Sequence, residues 1–131
     1  MEELKENQSH KLRMLFPEYK SDYIADAILE GSMGKVLVNN AENPQVVALS
    51  IYENKIQILG GDAKHPAARE YLSALPGLTM LWVGAQGWKT LLDEVHQGKV
   101  ITLKRYAFSS ESLDLCRLNG LKSQLSDRFK I

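Results

Sequence analysis

The sequence predicts an α/β protein built on a mixed, mostly antiparallel sheet with helices on both faces. Three observations carry this. Val46-Val47-Ala48-Leu49-Ser50-Ile51-Tyr52 is β-branched and aromatic enough for a strand, and Lys55-Ile56-Gln57-Ile58-Leu59 alternates polar and apolar. Only Glu53-Asn54 separates them, which is hairpin length, so 46–52 and 55–60 are expected to pair antiparallel. Downstream, Ala68, Tyr71, Leu72, Leu75 and then Trp88, Leu91, Leu92, Val95 recur at i, i+3, i+4, i+7, the mark of two amphipathic helices over 66–75 and 86–96. Between those helices lies the apolar run Leu78–Val83. A strand reached through a crossover helix runs parallel to an earlier one, and its nearly continuous apolar character predicts burial on both faces.

The remaining elements follow from local chemistry. Residues 3–15 permit a helix, although only Leu4, Leu12, Leu15 and Phe16 mark an apolar side, and Pro17 ends it. A second helix is expected from about Ser21, capped by Ser21, with Asp22 in its first turn and a stripe of Ile24, Ala27 and Ile28. Gly31 stops it. Lys35–Val38 reads as a short strand, and Asn39–Pro44 is turn chemistry leading into the hairpin. Gly60-Gly61-Asp62 ends the third strand of this meander, and Pro66 suits the first turn of the helix that follows. Gly84 and Gly98 close the next strand and helix. Val100–Phe108 is expected to be a long strand, which makes about six in all. Ser109, Ser110, Glu111 and Ser112 offer caps for a helix marked by Leu115, Leu118, Leu121 and Leu125, which Asn119-Gly120 threatens to break. Phe129-Lys130-Ile131 reads as the start of one more strand.

Composition bounds the function classes. The chain has 131 residues, 44% hydrophobic and 24% charged, a length that fits one domain with a real core. Sixteen basic and sixteen acidic residues cancel, so bulk charge argues for neither nucleic acid nor a membrane surface. Cys116 is the one cysteine, which excludes an internal disulfide and suits a reducing compartment; set among leucines, it is expected to be a small core residue. The charged N-terminus does not read as a signal peptide, and no run approaches the ~20 apolar residues of a membrane span. The expectation is a cytoplasmic protein.

Candidate chemistry is sparse. A strand feeding a helix through glycines leaves the first helical N–H groups free, so Gly60, Gly61, Asp62, Ala63 and Lys64 form the candidate anion-binding turn, with Lys64 and Arg69 adding positive charge. The competing reading is a tight turn in which Asp62 caps the helix. His10, His65 and His96 are scattered and lack ligand spacing, so no metal site is expected; His96 suits the negative end of its helix. Trp82 and Trp88 read as core, and Tyr52, Tyr71 and Tyr106 as packing residues. Asp93 and Glu94 are expected in solvent.

The element order resembles the GNAT acyltransferase fold, in which two helices precede a three-strand meander that feeds the pyrophosphate-binding turn. The family signature Q/R-x-x-G-x-G/A is met here by Gln57-Ile58-Leu59-Gly60-Gly61-Asp62, with a carboxylate where the motif has a small residue. A closer resemblance runs through Ile28-Leu29-Glu30-Gly31, Gly34–Asn40, Glu42-Asn43-Pro44, Gly61-Asp62, Trp88 and Arg105-Tyr106-Ala107-Phe108. These look like the N-terminal half of bacterial two-lobed GNAT acetyltransferases, a degenerate lobe beside a C-terminal lobe that carries acetyl-CoA and the chemistry.

The resemblance implies that residues 1–131 are a single GNAT-like domain, a non-catalytic N-terminal lobe that packs against a catalytic GNAT lobe or, as a homodimer, against itself. Phe129-Lys130-Ile131 would then begin the segment leading to the second lobe. No catalytic residue carries over. The tyrosine that commonly protonates the leaving thiolate is missing from 86–96. This chain alone is expected to take no cofactor, with acetyl-CoA bound only if it acts as a GNAT enzyme. Alternatives are a small stand-alone acyl-CoA-dependent acyltransferase and a small-ligand binding domain with a pocket where the meander and strand 78–83 splay apart. An interface is expected around Tyr106, Phe108, Leu118, Leu121, Leu125 and Phe129.

Overall fold

The structure, a computed structural model, describes residues 1–4, 6–19, 22–104 and 114–124. The chain divides into two units, Met1–Ile101 and Thr102–Ile131. The first holds a five-stranded sheet in the order β1-β2-β3-β4-β5, with β1 at Glu2–Glu3, β2 at Lys35–Val38, β3 at Val46–Ile51, β4 at Ile56–Gly61 and β5 at Met80–Trp82. The first three pairings are antiparallel, and β4 pairs with β5 in parallel. The mixed sheet and the hairpin are as the sequence reads. The connection of β3 to β4 is longer than two residues: Ile51 faces Ile56, so Tyr52–Lys55 form a four-residue loop.

Side-chain alternation sorts the core into two layers. Val36, Val38, Val47, Leu49, Ile51 and Ile58 face one side, where they meet Leu4, Leu12, Phe16, Ala25, Ile28 and Leu29. Val46, Ala48 and Leu59 face the other, against Ala68, Leu72, Trp88, Leu91 and Leu92. Helix α1 (Tyr23–Leu29) therefore lies on one face, and α2 (Pro66–Ala74) with α3 (Gln86–His96) on the opposite one. β3 is buried at every position, as a central strand covered on both faces must be.

Several boundaries move. Residues 3–15 are not an α-helix: Glu2–Glu3 add a short edge strand to β2, and Glu6–Leu15 form a 3₁₀ helix, consistent with their thin apolar pattern. Asp22, not Ser21, caps α1, its carboxylate accepting from the Ile24 and Ala25 N–H groups; Ser21 lies outside the described residues. The buried stripe of α1 is Ala25, Ile28 and Leu29, with Ile24 and Ala27 only half-buried. Gly31 at φ +76° ends it in a Schellman arrangement, with Gly31 N–H donating to Ile28 O and Ser32 N–H to Ala27 O. β5 is three residues long and only partly buried, because it lies at the edge of the sheet among the described residues. Tyr52 is exposed in the loop rather than packed.

In the second unit, α4 (Leu115–Ser123) runs through Asn119-Gly120 unbroken. Its carboxylate cap is Asp114, which accepts from Cys116 and Arg117 N–H. Cys116 is exposed, so it is not a core residue; one turn of leucines at helical spacing does not by itself specify which face is covered. The expected strand 100–108 is irregular over 100–104, and its remainder lies outside the described residues, as do the four residues proposed as caps and the expected strand start at 129–131. No helix among the described residues is long and apolar enough to cross a membrane.

Candidate functional site

The turn after β4 is closed by its own groups. Asp62 N–H donates to Gln45 O at 2.8 Å, Lys64 N–H to Asp62 Oδ1 at 2.8 Å and His65 N–H to Asp62 O at 3.2 Å. The α2 N-cap is His65, whose Nδ1 accepts from Ala67 N–H at 3.1 Å. Asp62 thus caps the turn before the helix rather than the helix itself. Pro66 occupies the first helical turn, where it forfeits no bond. Among the described residues, Ala63 N–H is the one donor between Asp62 and His65 with no protein acceptor. A pyrophosphate held by a helix start needs several converging N–H groups; in this turn those of Asp62, Lys64 and His65 have protein acceptors, and the Asp62 carboxylate is one of them.

The two glycines have internal reasons to be glycine. A Cβ on Gly60 would overlap the Phe16 ring, 2.6 Å from Cδ1. At Gly61 φ is +85°, and a Cβ would run into the Gln45 carbonyl. Gly61 O also accepts from Trp88 Nε1 at 3.2 Å, which ties the end of β4 to α3.

β4 and β5 pair from Ile56/Met80 to Ile58/Trp82. Residues Phe16–Tyr19 run from the end of β4 to the residue range just past β5. Phe16 sits on Gly60, and a Cβ on Gly84, beyond β5, would lie 2.5 Å from Glu18 Cβ. Gly84 is hydrogen-bonded through its backbone to Tyr19. Burial, reinforced by the Glu18 and Asp22 carboxylates, raises the Tyr19 phenol well above its ordinary range, against the opposing pull of that Gly84 bond. Arg13 holds the segment in place: Nη2 donates to Tyr19 O at 2.5 Å, and Nε pairs with Asp26 of α1 at 3.1 Å. These contacts hold Phe16–Tyr19 against Gly60 at the end of β4 and Gly84 beyond β5.

On the opposite face Gln57, the first residue of the motif-like stretch, is buried at the centre of a polar chain. Tyr71 hydroxyl donates to Gln57 Oε1 at 2.6 Å, and Gln57 Nε2 donates to Asn54 O at 3.0 Å. Ser50 Oγ donates to Asn54 Oδ1 at 2.5 Å. Burial pushes the Tyr71 phenol up to about 12, partly offset by the bond to Gln57. Gln57 therefore joins β4, α2 and the β3–β4 loop rather than facing a ligand.

Other sequence candidates fall away from the turn or into plain roles. Arg69 pairs with Glu94 across α2 and α3, which uses one of the two cations expected beside the turn. Lys64 is exposed. α3 starts without a side-chain cap, so the N–H groups of the exposed Gln86 and Gly87 are open to water. His96 ends α3 as expected for its dipole. Among the described residues no three metal-ligating side chains gather. Of the expected interface, Tyr106, Phe108, Leu125 and Phe129 lie outside the described residues, and Leu121 is exposed on α4.

A strand-turn-helix at the end of a three-strand meander, followed by a parallel β5, is an acyltransferase-type α/β architecture. The GNAT acetyltransferase family model matches residues 13–131, and the chain belongs to that family. It is similar to a GCN5-related N-acetyltransferase-like protein from Streptococcus suis, with a TM-score of 0.70 and 25% identity over 92% of this chain. The chain spans about half of that protein, 47% of its length. No curated protein matches it.

Proposed function

We propose that this chain is the non-catalytic N-terminal lobe of a two-lobed GNAT N-acetyltransferase, packing against a catalytic lobe. The observation that carries this reading is the turn at 60–64: its Asp62 and Lys64 N–H groups are spent internally, and Asp62 stands where the signature has a small residue. The packing of Phe16 on Gly60 and the absence of tyrosine from α3 agree with it. So does the half-length match to the streptococcal protein. In this reading Gly60, Gly61, Asp62, Ala63 and Lys64 shape the lobe without holding a cofactor. Acetyl-CoA belongs to the other lobe.

A ligand that binds only the folded state raises the unfolding temperature. Thermal unfolding of the chain with and without millimolar acetyl-CoA is therefore a first test. The expected result is no shift; a rise of several degrees that saturates with acetyl-CoA would contradict the non-catalytic reading.

A further inference from the structure

Asn119-Gly120, inside α4, is the one Asn-Gly pair in the chain. Glycine has no side chain to shield its amide nitrogen and little backbone restraint, so that nitrogen can reach the carboxamide carbon of a preceding asparagine and close a five-membered ring. The other asparagines, Asn7, Asn39, Asn40, Asn43 and Asn54, precede glutamine, asparagine, alanine, proline and lysine. Three of them are also held by their side chains. Asn39 Oδ1 accepts from Gln45 and Val46 N–H, Asn40 Oδ1 from Glu42 and Asn43 N–H, and Asn54 Oδ1 from the Ser50 hydroxyl.

A closed helix opposes ring formation, because its hydrogen-bond ladder holds each amide nitrogen away from the preceding side chain. α4 offers little opposition. It has nine residues, short of the ~12–15 that a free-standing helix needs, and glycine is a poor helix former. Leu115, Cys116, Arg117, Asn119 and Leu121 are all exposed, so none of them adds packing. A Cβ on Gly120 would meet nothing within 4 Å. The Asp114 cap reaches only Cys116 and Arg117, in the first turn. We propose that Asn119 is a site of self-modification, converted to aspartate and isoaspartate during openings of α4. The Gly120 nitrogen bonds to Asn119 Cγ, the Cγ–Nδ2 bond breaks, and ammonia leaves with the Gly120 amide proton. Water then opens the succinimide. Addition at Cγ gives aspartate, and addition at the Asn119 backbone carbonyl carbon gives isoaspartate. Nothing is oxidised or reduced. Both products add a negative charge, and isoaspartate lengthens the main chain by one atom, which breaks the helical ladder at the middle of α4. This does not rest on the proposed role of the lobe.

The test is incubation of the 131-residue chain at neutral pH, with peptide mapping by mass spectrometry and labelling by an isoaspartyl-specific methyltransferase. Asn119 is expected to convert before any other asparagine. Its rate should lie within about tenfold of that in the urea-unfolded chain, as for a helix open at least about a tenth of the time. Asn119→Gln is expected to abolish the isoaspartyl label without lowering the unfolding temperature, and Gly120→Ala to slow the reaction by shielding the nitrogen and strengthening the helix. Conversion of another asparagine ahead of Asn119 overturns the inference, as does a rate suppressed further than that against the unfolded chain. A label that survives Asn119→Gln overturns it as well.

Discussion

The Phe16 ring packs on the backbone of Gly60 so closely that no side chain fits between them. The pair joins the 3₁₀ segment near the N-terminus to the end of β4, 44 positions later, and gives a glycine of the motif-like stretch a packing role. Phe16 itself is 1% exposed. Gly60→Ala is expected to cost about 1–3 kcal/mol through overpacking. Phe16→Leu in the same chain should recover part of that loss, since residues in contact do not contribute additively. Urea unfolding of the two single variants and the double variant measures the coupling. A neutral Gly60→Ala would show that packing does not dictate this glycine.

The Tyr71 hydroxyl is a donor into a buried network, and its ionisation is coupled to folding. Its pKa rises from 10.0 to about 12 on folding, chiefly by burial. The folded state thus holds the phenol proton more tightly than the unfolded one. The resulting contribution to stability is complete below pH 10 and declines as pH rises from 10 toward 12. Tyr71→Phe should reduce the alkaline slope to the part that the likewise raised Tyr19 phenol contributes. It should also cost about 1–3 kcal/mol at neutral pH by leaving Gln57 Oε1 without its donor. Unfolding midpoints across the alkaline range, with and without the substitution, separate the two effects.

Asp22 closes the start of a helix of only seven residues, which has little intrinsic stability of its own. Asp22→Ala should lower stability by about 1 kcal/mol, and Asp22→Asn by less, because the amide oxygen still accepts from the first-turn N–H groups. Thermal unfolding followed by circular dichroism gives both values.

The sequence was most legible where periodicity was strong and local. Trp88, Leu91 and Leu92 are buried on α3 at the spacing that marks them, and the β3–β4 hairpin follows from its two strands. The parallel β5 follows from the crossover through α2, though the nearly continuous apolar run Leu78–Val83 overstated its length and burial. β1 was not legible: two glutamates carry no period, and only the register against Leu37 and Val38 makes them a strand. At the candidate site the glycine pair was visible, but its cause was not. Phe16, Gln45 and Trp88 meet Gly60 and Gly61 through the tertiary fold, and nothing in the local stretch announces them. Asp62 was the one local sign that the turn serves itself. Gln57, buried and bonded to Tyr71, reads in sequence as an exposed position of an alternating strand.

Calorimetric titration of acetyl-CoA into the chain asks whether the 60–64 turn serves as an acetyl-CoA site. Asp62→Ala removes the carboxylate beside the turn and the acceptor of the Lys64 N–H. No saturable heat is expected for wild type at millimolar acetyl-CoA. A one-site isotherm with a low-micromolar dissociation constant, tightened further by Asp62→Ala, would contradict it.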